Sequence, residues 1–570
     1  MTASAPRRVV LDTDFADGAR FLAAWAHAAS PAGAPLHYLA IAPALPKAAR
    51  IADARLRALW PMNVPGFHRI VLDDGRVTLD LLVGALDAVL PQIEARVDDF
   101  QISSCAPDFV SGFARGLAKL AAAGATMCAH APDEALIWAL TSAGFACHAI
   151  AGSPDVGAVY RSRKPQPPAP PEPQRRAIVI GAGLAGSSAC HRLCANAWEV
   201  TLIERHAQPA QEASGNLAGI FMPLLSKDDN IPTRLSRAAY LFALREWRRL
   251  GGVGKAFDGA DCGVLQLARD AAHAKVQQEV LAAWDYPPEY ARWLAAEDAG
   301  RLLGGETPHG GWLFEHGGWA RPASLCEAML DACGARLRRR FHTQALTLRR
   351  VDGEWDVLDA DGVTIARAPT VILAGGIGAV DIAQAAQLPL SALRGQVTHL
   401  ALDDPGSAGA PRLPLVVCRE AYVTPVANGI VCAGATYDND DDPHLRAESQ
   451  LENLTRLAEI VPGDAVAALA ASAPLAGRVG FRCAAPDRLP LCGALPDHGA
   501  AGRLERLRDV PRHPGLYGLL GYASRGLIWA PLMAELLVSQ LENVPPPLEA
   551  SLVAALDPGR FLLKARRRSQ

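Results

Sequence analysis

Residues 176–205 hold the stretch that most limits what this chain can fold into: Arg176-Ala-Ile-Val-Ile-Gly181-Ala182-Gly183-Leu184-Ala185-Gly186, closing at Val200-Thr-Leu-Ile-Glu204-Arg205. The four apolar residues before the first glycine read as a buried strand. A helix follows the glycine turn, and a second strand ends in an acid. Strand, glycine turn, helix, strand and carboxylate in this order form a dinucleotide fingerprint. Gly181 permits the sharp turn, Gly183 lets bare backbone approach a pyrophosphate, and Gly186 lets the helix lie close to the strand. The first turn of the helix offers N–H groups to the phosphates. Glu204 falls near the ~20-residue offset of the carboxylate that holds a ribose hydroxyl.

The chain of 570 residues is too long for one hydrophobic core, so two or three domains are expected. Its formal net charge of −3 supplies no global basic field, so any contact with nucleic acid must come from local patches. No apolar run approaches the ~20 residues of a membrane span, and the polar opening lacks the apolar core of a signal peptide. The twelve cysteines contain no C-x-x-C pair, so neither a zinc cluster nor any other metal site is expected. A cytoplasmic protein with reduced thiols is the reading that results.

Residues 1–163 alternate strand-like and helical pieces, with strands near 8–12, 36–41, 69–72, 100–103, 125–129 and 149–160. That alternation predicts an α/β sheet of Rossmann type. Its first loop, Asp14-Phe-Ala-Asp17-Gly18-Ala19, has one glycine and two acids and is a poor cradle for an anion. Residues 164–175 are proline-rich and predict an extended spacer, which places a domain boundary there. The second domain is expected over 176–551, followed by a basic tail at 552–570.

Three further stretches of the second domain have the composition of ligand-lining loops. Ala213-Ser214-Gly215-Asn216-Leu-Ala-Gly219 is glycine-rich and apolar at once. Ala368-Pro-Thr-Val-Ile-Leu-Ala374-Gly375-Gly376 is a buried strand ending in glycines. Gly521-Tyr-Ala-Ser524-Arg525-Gly526-Leu527 is a glycine loop that opens a helix, suited to presenting N–H groups to an electron-rich carbonyl.

Taken together, these stretches resemble the D-amino-acid-oxidase-like branch of FAD-dependent amine oxidases. More closely, Ala213-Ser-Gly-Asn-Leu-Ala-Gly219, Pro223-Leu-Leu-Ser-Lys-Asp-Asp-Asn230, Gly318-Trp-Ala-Arg-Pro-Ala-Ser-Leu-Cys326, Leu393-Arg-Gly-Gln396 and Arg482-Cys-Ala-Ala-Pro-Asp-Arg-Leu-Pro490 resemble the bifunctional tRNA 5-methylaminomethyl-2-thiouridine biosynthesis family. That family joins an S-adenosylmethionine-dependent methyltransferase to an FAD oxidoreductase. The resemblance implies a two-dinucleotide-binding fold with an inserted antiparallel-sheet substrate subdomain. It implies oxidative removal of the carboxymethyl group from 5-carboxymethylaminomethyluridine at the tRNA wobble position. FAD is then expected at Gly181, Ala182, Gly183, Leu184, Ala185, Gly186, Glu204, Arg205, Ser214, Gly215, Asn216, Ala374, Gly375, Gly521, Ser524, Gly526 and Leu527. Arg482 matches the carboxylate-clamping arginine of the oxidase branch, a structural ion pair being the other role open to it, and Arg525 is a second candidate catalytic residue that could instead contact flavin or backbone.

The N-terminal half departs from the family where methyl transfer would occur. It has Phe15-Ala-Asp17-Gly18-Ala in place of a glycine-rich loop, Ala42 in place of a ribose-binding acid, and Ser103-Ser104-Cys105-Ala106-Pro107 in place of an Asp-Gly-Phe-Ala-Pro motif. These losses predict a methyltransferase-shaped domain with a degenerate S-adenosylmethionine site. A chain that keeps both activities, and a glycine- or sarcosine-type oxidase acting without RNA, are the alternative readings. Basic clusters at 336–340 and 564–568 are candidate tRNA contacts, and Trp312 and Trp319 are candidates for stacking on a flipped base, with core packing the simpler role.

Overall fold

The computed structural model describes residues 6–30, 33–103, 105–161, 174–401, 413–461, 475–500, 502 and 504–568. Most of the expected linker and Ser104 lie outside the described residues. The chain packs as two compact units, one of residues 1–173 with 536–554, the other of residues 174–535 with 555–570.

The first unit is built on an eight-stranded sheet, ordered Gly66–Leu72, Val77–Val83, Leu36–Ala42, Arg8–Asp12, Val97–Ile102, Ala121–Ala129, Val156–Tyr160 and Phe145–Ala149. The five central strands run parallel, and antiparallel strands close both edges. The central strands are near-continuous apolar runs because helices cover both faces of a parallel sheet. The strand expected at 149–160 is instead the second half of a hairpin. Its turn passes through Gly152 at φ 75°, a left-handed conformation that a single extended strand cannot contain.

Residues 536–554, of which the sequence reading places 536–551 in the second domain and 552–554 in the basic tail, pack with this first unit. The buried guanidinium of Arg69 draws them in, donating to Ser539 Oγ at 2.8 Å and to the Pro545 carbonyl at 2.6 Å. It also meets Asp80 at 2.8 and 2.7 Å, and His37 Nε2 lies 2.7 Å from the same carboxylate. Burial alone raises the pKa of Asp80, but Arg69 and His37 outweigh it and hold the carboxyl well below the usual range.

The second unit has two principal sheets. The first runs Leu337–Arg340, Glu199–Ile203, Arg176–Ile180, Thr370–Leu373, Arg512–Leu520 and Leu491–Pro496, parallel except for the last pair. The second has eight strands, largely antiparallel, and ends in the order Ile430–Gly434, Ser391–Ala401, Ala476–Ala484. A 20-residue helix, Ile231–Leu250, begins where the Asn230 side chain accepts from the Thr233 N–H and stops at Gly251, φ 120°. Residues 560–568 of the expected basic tail form a helix whose Leu562 and Leu563 are buried.

Because Arg69 is the cation opposite a buried carboxylate, Arg69→Met is expected to destabilise the protein by about 3–5 kcal/mol at neutral pH. Asp80 titrates from a depressed folded pKa, so its contribution is present above its unfolded pKa and disappears as pH falls toward the folded one. The difference between wild type and variant should therefore shrink in acid, as measured by urea unfolding at several pH values.

Candidate active site

At the fingerprint turn the chain is stripped to backbone. Gly181 has φ 104°, and a Cβ there would lie 2.8 Å from the Ala374 carbonyl oxygen and from the Cα of Gly375. A Cβ on Gly186 would run into the Gly181 carbonyl oxygen. The strand, the helix Leu184–Ala195 and the returning strand Thr370–Leu373 thus meet without side chains between them, which leaves a trough at their common end. Ser214 stands beside it, its Oγ accepting from the Leu184 N–H at 3.1 Å. The Glu204 carboxylate accepts from the Ala182 N–H at 2.7 Å and the His206 N–H at 2.9 Å. These bonds fix its direction and still leave acceptor capacity for diol hydroxyls.

A cavity of about 480 Å³ continues from this trough. Of the residues expected at the cofactor, Gly181, Gly183, Leu184, Ala185, Glu204, Arg205, Ser214, Asn216, Ala374, Gly375, Gly521, Ser524, Gly526 and Leu527 line it, as do Arg482 and Arg525. Ala182, Gly186 and Gly215 do not. Ala182 acts through its N–H to Glu204 and Gly186 through its contact with Gly181. Gly215 leaves room for the guanidinium of Arg478, which donates to the Gln211 carbonyl at 2.8 Å and so holds the loop that carries Ser214. Arg205 pairs with Glu212 at 2.5 Å. Burial opposes the Glu212 charge, yet His206 and Arg205 hold its pKa below the ordinary carboxylate value.

The remaining wall comes from the antiparallel sheet. Alternation along Ala476–Ala484 puts Arg478, Gly480 and Arg482 on one face. On the neighbouring strand Gly480 stands opposite Gly395, and Arg482 lies directly over Gly395, where any side chain would collide with its guanidinium. Arg482 donates to the Thr436 carbonyl at 3.2 Å, and its guanidinium carbon sits 4.3 Å from the centre of the Tyr437 ring. Among the described residues neither Arg482 nor Arg525 has a carboxylate partner. Burial pushes the Arg525 guanidinium down from its ordinary value. Two unneutralised guanidinia facing one cavity form a receptor for a small anion, and a guanidinium fork suits a carboxylate.

Burial pushes the Tyr422 hydroxyl up and the Cys418 thiol up to about 12, so both stay neutral near pH 7. No histidine lines the cavity among the described residues. Trp312 and Trp319 are buried, Trp312 donating its Nε1–H to the Gln277 carbonyl at 2.9 Å, so both belong to the core. The sequence reading missed Tyr422, Tyr437 and Glu212, whose positions depend on loops and on pairing between distant strands. The one available signal was Gly395 in Leu393-Arg-Gly-Gln396, a bare position that marks where another group must pass.

In the first unit, the position that corresponds to the trough is filled by the unit's own side chains. The ring of Phe15, 2% exposed, packs on Gly18, where a Cβ would lie 2.7 Å from it. Arg20 grips Asp12 with two hydrogen bonds at 3.0 and 2.8 Å, and the Tyr38 hydroxyl donates to the same carboxylate at 2.7 Å. Ala42 is buried and offers no acceptor for a ribose.

Fold and trough together define a flavin-dependent oxidoreductase, and the model of the FAD dependent oxidoreductase family, DAO, matches residues 176–540. The chain also belongs to the family of bifunctional tRNA 5-methylaminomethyl-2-thiouridine biosynthesis proteins, MnmC. It is 42% identical to the protein of that name from Paraburkholderia phytofirmans, over 98% of this chain and 90% of the relative. It is 43% identical to the one from Burkholderia thailandensis, over 98% and 91%. Among solved structures, glycine oxidase from Geobacillus kaustophilus superposes with a TM-score of 0.55 at 19% identity, covering 68% of this chain and 99% of that one. Iminodiacetate oxidase from Chelativorans sp. BNC1 gives 0.52 at 26% identity, covering 65% and 96%.

The bare turn at Gly181 and Gly183, the helix N-terminus and the braced Glu204 fit the adenosine diphosphate part of FAD. Glu204→Ala is expected to weaken FAD uptake by roughly 10- to 100-fold, ~1.5–3 kcal/mol, through loss of a charged acceptor. Fluorescence titration of apoprotein with FAD checks this, and an unchanged affinity would remove Glu204 from the site.

Proposed function

We propose that this chain removes the carboxymethyl group from 5-carboxymethylaminomethyluridine or its 2-thio form at the tRNA wobble position, leaving the aminomethyl base. The observation that carries the reading is the pair of unneutralised guanidinia, Arg482 and Arg525, facing a cavity that opens from a dinucleotide trough. The modified uridine is an N-substituted glycine, with a carboxylate one carbon from a secondary amine. Arg482 binds that carboxylate through two parallel hydrogen bonds, which fixes the intervening CH₂ against the reaction centre. Bound FAD supplies a two-electron acceptor for hydride from that carbon. The carbon–nitrogen bond is oxidised to an imine, and water then cleaves it to the aminomethyl base and glyoxylate. Tyr422 and Cys418, held neutral by burial, add no charge to the cavity wall opposite the two arginines. Apolar lining from Ile220, Met222 and Leu527 keeps bulk water from the reacting carbon.

In this reading the N-terminal unit does not transfer methyl groups, and the filling of its first-strand turn by Phe15 and the Arg20–Asp12 pair supports that. The substrate is tRNA, and the protein acts in the cytoplasm where tRNA is modified. Among the described residues, no helix is long and apolar enough to cross a membrane.

Cells lacking this protein should accumulate the carboxymethylaminomethyl nucleoside in tRNA hydrolysates. Returning this chain alone should yield the aminomethyl nucleoside without the methylaminomethyl one, read by mass spectrometry. Appearance of the methylated base would show an active methyltransferase. Unchanged wobble bases, together with turnover of free N-alkylglycines, would instead favour an oxidase that does not act on RNA. Arg482→Ala should lower kcat/KM for the tRNA substrate about 100-fold, ~2.7 kcal/mol, with flavin content unchanged.

A further inference from the structure

Tyr437 stands apart on the cavity wall. It is 57% exposed, and among the described residues it alone of the large exposed hydrophobic side chains lines the cavity. One face of its ring is covered by Arg482, whose guanidinium carbon sits 4.3 Å from the centroid. Its neighbours, unlike the ring, are firmly held. The Thr436 N–H donates to the Gln396 carbonyl at 3.2 Å, and the Thr436 Oγ accepts from the Gln396 N–H at 3.1 Å. Asp438 pairs with the backbone of Arg394 in both directions, at 2.9 and 3.0 Å.

The Arg394 side chain completes this support. It is fully buried, although the next residue on the same strand, Gly395, lines the cavity. Its guanidinium meets Asp438 at 3.1 Å and donates to the carbonyls of Asp442 at 2.8 Å and His444 at 2.6 Å. Arg446 then braces the same loop through Asp440 and Asp442, at 2.9 and 2.8 Å. A loop anchored at this many points presents its tyrosine in a fixed position, whereas burying a guanidinium solely to order a surface loop would be expensive. The exposed ring is therefore held in place for a ligand.

We propose that Tyr437 is the stacking platform for the pyrimidine of the substrate, and that Arg394 is the positioning residue that holds it. The inference rests on the reading that the substrate is an N-substituted glycine carried on a modified uridine. The arm from carboxylate carbon to base C5 spans four bonds, roughly 5 Å when extended. A base whose carboxylate is clamped by Arg482 is thus confined to the mouth of the cavity, where Tyr437 is the exposed aromatic surface. The aromatic face serves any planar base, which suits an enzyme that accepts uridine and 2-thiouridine alike. Discrimination for the arm then comes from the two arginines, and retention of the flipped base comes from Tyr437.

The test compares ligands with and without the base on the FAD-loaded protein. One ligand is 5-carboxymethylaminomethyluridine as the nucleoside, and the other is sarcosine, an N-substituted glycine without a base. Dissociation constants are measured anaerobically with the corresponding amine products, 5-aminomethyluridine and methylamine, as a second pair, so that binding is read independently of turnover. In Tyr437→Ala the preference for the base-carrying member of each pair should fall by roughly 5- to 100-fold, the range for one base–aromatic stack. Tyr437→Trp and Tyr437→Phe should keep the preference, and Arg394→Met should lower it while flavin uptake stays unchanged. An alanine variant that weakens both members of each pair equally would overturn the proposal and reduce Tyr437 to a support for Arg482. A wild-type protein that shows no preference for the base at all would sink the reading of the substrate itself, which is a separate outcome.

Discussion

The second unit depends on the contact of bare backbone at Gly181, Gly186 and the Ala374–Gly375 turn. Packing the fingerprint helix against its strand and bringing the returning strand alongside requires that no Cβ stand between them. That same absence creates the trough, since two strand ends and a helix N-terminus cannot close over a space that contains no side chain. The requirement for close packing and the requirement for a nucleotide cradle are thus met by one set of glycines. Glu204 sits where the second strand ends because its register with the first strand brings it to the lip, and the Ala182 N–H then fixes its carboxylate.

The antiparallel sheet supplies the other half of the site by a related device. Gly395 and Gly480 face each other across adjacent strands, and the missing side chain at Gly395 leaves the space that the Arg482 guanidinium occupies. The opposite face of the same strand is dense with polar contacts from Arg394, Gln396 and Thr398, all fully buried. Gln396 accepts from the Arg446 N–H and donates to the Arg446 carbonyl, so strand and loop are stitched together behind the wall. Arg482, without a carboxylate partner among the described residues, thus stands against a loop that Arg394 ties down at several points.

The two units make opposite uses of one architecture. Each has a parallel sheet whose first strand feeds a turn and a helix. In the second unit the turn is stripped of side chains, whereas in the first Phe15, Arg20 and Tyr38 fill the corresponding space and satisfy Asp12. The first unit keeps its hydrophobic core and its buried Arg69–Asp80–His37 network. Fold and site are separable, and only the site residues carry chemistry.

Much of this protein was legible in one dimension because it depends on spacing within short segments. The fingerprint, its carboxylate, the loop at Ser214 and the helix-opening loop at Ser524 are local patterns, and backbone geometry leaves them few ways to fold. The hairpin escaped the sequence reading although Gly152-Ser153-Pro154-Asp155 carries a turn signal, because the mainly apolar residues on both sides of it were read as one strand. Tyr437, Arg394 and Gly395 escaped it because their roles exist only once strands tens of residues apart are paired and a loop is folded back on them. Residues 536–554 likewise join the first unit through hydrogen bonds to Arg69, more than 460 positions earlier in the chain. Sequence alone determined the nucleotide trough, since its constraint is steric and local. The tertiary structure decided which guanidinia stay unpaired and which aromatic face stays open, because pairing and exposure are properties of neighbours in space.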